Sequence, residues 1–71
     1  MTIEAVYAES MSTMSKLLQE GTNPLEVAAV MMSQALSLYK TVLSEDDYTK
    51  IVESIVFSKN KVQKFEQPTI N

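Results

Sequence analysis

Apolar residues recur at three- and four-residue intervals along three stretches of this chain, and helix start and stop signals bound each stretch. The first stretch predicts a helix from Thr2 or Ile3 to about Glu20, with Ile3, Val6, Tyr7, Met11, Met14, Leu17 and Leu18 as its apolar stripe. At about 100° per residue these seven positions fall within an arc of roughly 140°. Gly21 follows as a left-handed C-cap. The run Asn23-Pro24-Leu25-Glu26 is the strongest start signal in the chain, with a capping residue at N-cap, proline at N1 and glutamate at N3.

The second helix is predicted over 24–43, and 13 of its 20 positions are apolar. Its polar residues (Glu26, Ser33, Gln34, Ser37, Lys40 and Thr41) fall in an arc of roughly 120°. The remaining two-thirds of its surface is wider than the stripe one neighbour covers. That apolar arc has two edges. Val27, Met31, Leu38 and Val42 make one, and Leu25, Ala29, Met32, Leu36 and Leu43 make the other.

Ser44 then caps a third helix whose first turn holds Glu45, Asp46 and Asp47, where the helix dipole favours negative charge. Tyr48, Ile51, Val52, Ile55 and Val56 form its stripe. The pattern leaves two ends open: about residue 58, or, with Val62 extending the stripe, as far as 66. Pro68 halts further continuation, and residues 67–71 read as a flexible tail. Phe57 projects roughly 180° from Tyr48, opposite the stripe. Either the helix distorts there or the ring meets another surface. The very short connections favour antiparallel neighbours. The expectation is an all-α fold, one helical domain over 1–66 made of three antiparallel amphipathic helices.

Length sharpens this picture. A chain of 71 residues buries only about 60% of the surface its unfolded form exposes, so a lone core is marginal. There are no cysteines and no histidines to supply disulfides or the commonest zinc ligands. Very good helix packing or self-association remains as reinforcement, and dimerisation is expected to complete a larger helical bundle. The surplus face of the second helix is the expected place for it. Val27, Met31, Leu38, Val42 and Phe57 are the candidate residues for self-association or for a protein partner. Met11, Met14, Met31 and Met32 also lie on apolar faces, where thioethers serve as core filler or as an adaptable binding surface.

Charge and chemistry narrow function by elimination. Three consecutive carboxylates diverge by about 100° each, so Glu45-Asp46-Asp47 is no converging metal or acid–base cluster. Without histidine or cysteine there is no ready base or thiolate, and a single glycine allows no phosphate loop. No enzyme activity, cofactor or metal is expected. The six cations are all lysines and the net charge is −3. Forked arginine contacts to nucleic acid are therefore absent, and the acidic start of the third helix has the wrong sign for a recognition helix. A weak nucleic-acid contact through Lys59, Lys61 and Lys64 is the alternative reading. The N-terminus MTIEAVYAES lacks the charged and apolar pattern of a secretory signal, and no span of membrane length is apparent, so a cytoplasmic protein is expected.

The stretch NPLEVAAVMMSQALSLYKTVLSEDDYTKIVESIVFSKNKV, from Asn23 to Val62, resembles short uncharacterised helical proteins of marine tailed phages. The likeness rests on the two helix starts, N-P-L-E and L-S-E-D-D-Y, around an alanine- and methionine-rich helix. It implies a phage or metagenomic origin and a shared host cytoplasm, and it carries no function.

Overall fold

The computed structural model describes residues 1–64, of which 81% are helical, with no strand among them. Three helices follow one another: α1 (Ile3–Gln19), α2 (Pro24–Val42) and α3 (Glu45–Phe57). A 3-10 turn, Lys59–Lys61, comes after α3. The fold is all-α. The expected tail at 67–71 lies outside the described residues.

Each helix begins on a side chain that replaces a missing intrahelical acceptor. The Ala5 N–H donates to Thr2 Oγ1 at 3.1 Å, the Leu25 N–H to Asn23 Oδ1 at 2.9 Å, and the Asp47 N–H to Ser44 Oγ at 3.2 Å. Such caps are worth about 1 kcal/mol each. α1 ends in a Schellman motif: the Thr22 N–H donates to the Leu17 carbonyl and the Gly21 N–H to the Leu18 carbonyl, both at 3.1 Å. Gly21 takes φ +87°, a conformation that costs other L-residues energy. α3 closes earlier than the stripe ending at Val62 would allow. The Ser58 hydroxyl donates to the Ser54 carbonyl at 2.9 Å, and Val62 has returned to extended backbone.

The chain divides into two compact units, Met1–Ser33 and Gln34–Asn71, with the boundary inside α2. In the first unit, protection from solvent concentrates beside the Gly21 turn. Met11, Met14, Leu17 and Leu18 of α1 are half-buried, as is Met31, and Val27 of α2 is buried at 6% exposure. Ile3, Val6 and Tyr7, the first half of the α1 stripe, stand in solvent. In the second unit Leu36, Tyr39 and Leu43 of α2 and Tyr48, Ile51 and Val52 of α3 are half-buried. Ile55 and Val56, the far end of the α3 stripe, are exposed.

Candidate interaction surface

The two apolar edges of α2 fare differently in each unit. In the first unit Val27 and Met31 are withdrawn from solvent, while Leu25 and Met32 on the other edge are exposed. In the second unit Leu36 and Leu43 are half-buried, while Leu38 and Val42 are 66% and 67% exposed. Leu38 and Val42 are one helical turn apart and, with Ala35, follow the three-four spacing of a single face. Of the five candidate residues, then, Val27 and Met31 sit against their own chain and Leu38, Val42 and Phe57 are open to solvent. Phe57 is 89% exposed at the last position of a regular α3, so its outward projection follows from helix geometry without any distortion.

A second feature lies at the corner between α2 and α3, within the second unit. A cleft of about 500 Å³ is lined by Lys40, Leu43, Glu45, Asp46, Tyr48 and Thr49. The Lys40 ammonium approaches the Tyr48 ring there, at 5.9 Å from its centroid. That separation suits an exposed cation–π contact. Sequence periodicity did not reveal this pairing, because it depends on the angle of the corner. The signal that was available is the junction itself. Only Leu43 and Ser44 separate the end of α2 from α3, which confines Lys40 and Tyr48 to one neighbourhood.

The acidic run is accounted for by helix structure. Ser44 Oγ holds the Asp47 N–H, and Glu45, Asp46 and Asp47 occupy the first turn. Among the described residues no three carboxylates gather in a way that holds a metal ion. No helix among them is long and apolar enough to cross a membrane. The described residues present exposed apolar side chains, Leu38, Val42 and Phe57 among them, and separated charges.

No protein family, curated protein or solved structure matches the chain.

Proposed function

We propose that this is a small non-enzymatic interaction protein that acts as a homo-oligomer, a dimer in its simplest form, and binds another protein. One observation carries the reading: Leu38 and Val42 stand two-thirds exposed, while among the described residues the one buried hydrophobic residue is Val27. Contiguous apolar faces of this kind are uncommon on soluble monomers and mark interfaces. Two-fold pairing is the commonest closed arrangement of identical chains. The likeness of residues 23–62 to phage proteins supports a host factor or an assembly component as the partner, met in the host cytoplasm. Light scattering at micromolar concentration tests the oligomer. The expected mass is about twice the 8.0 kDa of one chain or a higher even multiple, and a well-folded monomer at high concentration overturns it.

The second reading, a weak nucleic-acid contact, draws on Lys59, Lys61 and Lys64, all exposed at the C-terminal side of α3. An electrophoretic titration at low salt separates the two. Strong binding that falls steeply with salt favours nucleic acid, and its absence favours the protein interface.

A further inference from the structure

We propose that α2 is the self-association element, lying antiparallel on the α2 of a second copy along a seam of six apolar residues. The inference rests on the homo-oligomer reading and deepens it by naming the seam, its direction and its register.

α2 runs without interruption from Pro24 to Val42. Along it Leu25, Ala28, Met32, Ala35, Leu38 and Val42 follow at intervals of three and four residues, and all six are exposed. At about 100° per residue they fall within an arc of roughly 140°. Ala28, Ala35 and Val42, spaced seven residues apart, run down the middle of that arc. Leu25 and Met32 stand to one side of this line and Leu38 to the other. These are the sides that the chain leaves open. In the first unit Val27 and Met31, on the side of Leu38, are withdrawn from solvent. In the second unit Leu36, Tyr39 and Leu43, on the side of Leu25 and Met32, are half-buried.

The area suits a pair. Leu25 and Met32 are 79% and 52% exposed, beside the two-thirds exposure of Leu38 and Val42. With the two alanines these side chains present roughly 600 Å² per chain, so two copies hide about 1,200 Å², the lower bound of a specific interface.

A two-fold contact also needs a patch that is complementary to itself. A two-fold axis perpendicular to α2, between Met32 and Ala35, provides it. Leu25 comes level with the second copy's Val42, and Met32 with its Ala35. Leu38 comes within about 1.5 Å of the level of the second copy's Ala28. Each level then sets a larger side chain against a smaller one, and the central alanines let the two backbones approach evenly. Parallel pairing sets Ala28 against Ala28 and Leu38 against Leu38, so gaps alternate with crowding. A foreign helix would need only an apolar stripe. A row of large and small residues matched to its own reverse favours a second copy.

The test uses the full chain, with mass and dissociation constant read by sedimentation and helicity checked by circular dichroism. Ala28→Leu enlarges the apolar surface, yet it is expected to raise the dimer dissociation constant about tenfold or more, because the second copy's Leu38 fills that level. Adding Leu38→Ala to the same chain is expected to restore association. Both effects are read in association, since an exposed side chain adds little to the stability of its own chain. The chain has no cysteine, so introduced thiols report the register. Under oxidation Ala28→Cys and Leu38→Cys proteins are each expected to stay uncrosslinked alone, their like positions being about 15 Å apart, and to form a mixed disulfide when combined. Crosslinking of each cysteine protein to itself would mean parallel pairing. Association of Ala28→Leu as strong as that of the natural chain would mean another face. Either result overturns the seam while the homo-oligomer reading stands, and a monomeric natural chain overturns both.

Discussion

The ammonium of Lys40, in the last turn of α2, stands 5.9 Å from the centroid of the Tyr48 ring in the first turn of α3. It joins the two helices of the second unit across a two-residue junction, at the cleft where the acidic start of α3 is exposed. An exposed cation–π pair contributes about 0.5–1 kcal/mol. A double-mutant cycle on Lys40→Met and Tyr48→Leu, followed by urea denaturation, is expected to give a coupling in that range. Zero coupling would mean that the ammonium is held by water and not by the ring.

The helix punctuation around residues 17–25 gives a graded series. Asn23→Ala removes the acceptor of the Leu25 N–H and is expected to destabilise by about 0.5–2 kcal/mol. Gly21→Ala meets no steric obstacle, because no atom lies within 4 Å of the added Cβ, so its cost is that of the left-handed backbone alone, about 1 kcal/mol. Gly21→Asn is expected to recover part of that loss, since asparagine tolerates this conformation. If Gly21→Ala and Gly21→Asn denature alike, the positive φ is not what the position requires.

Circular dichroism of the full chain is expected to show a mainly helical protein. Helices over 3–19, 24–42 and 45–57 set that expectation. A spectrum dominated by strand or coil would contradict the fold.

Burial separates two otherwise similar residues of α2. Val27→Ala removes about two methylenes' worth of buried surface and is expected to cost about 1–2 kcal/mol. Leu38→Ala, at a position two-thirds exposed, is expected to change stability by no more than about 0.5 kcal/mol. Leu38→Glu is expected to leave the isolated fold intact and to lower the binding of a hydrophobic fluorescent dye to the exposed face. Unfolding of Leu38→Glu would show instead that the native protein buries this side chain.

Much of the fold was legible in the sequence for a local reason. Asn23, Ser44 and Gly21 act on backbone groups within five residues of themselves, so their roles follow from chemistry and spacing alone. Thr2 caps α1 by the same mechanism, and only its place near the start of the chain made it less conspicuous. The end of α3 was ambiguous because Lys59, Lys61 and Val62 suit either a continuing helix or its exit; the Ser58–Ser54 hydrogen bond accompanies the earlier exit. Less was legible of the surface. Periodicity defines the two edges of α2 but is silent on what covers them, which depends on the paths of neighbouring helices. Hence Val27 and Leu38, equivalent on a helical wheel, differ in exposure by tenfold or more (6% against 66%).

That Val27 is the one buried hydrophobic residue among the described residues has a calorimetric consequence. The heat-capacity step on unfolding and the steepness of a denaturant transition both scale with the apolar surface newly exposed. A single chain that hides so little is expected to melt gradually, with a small heat-capacity increment for its length. A sharp endotherm, moving to higher temperature as the protein is concentrated, would measure the surface that a second chain conceals.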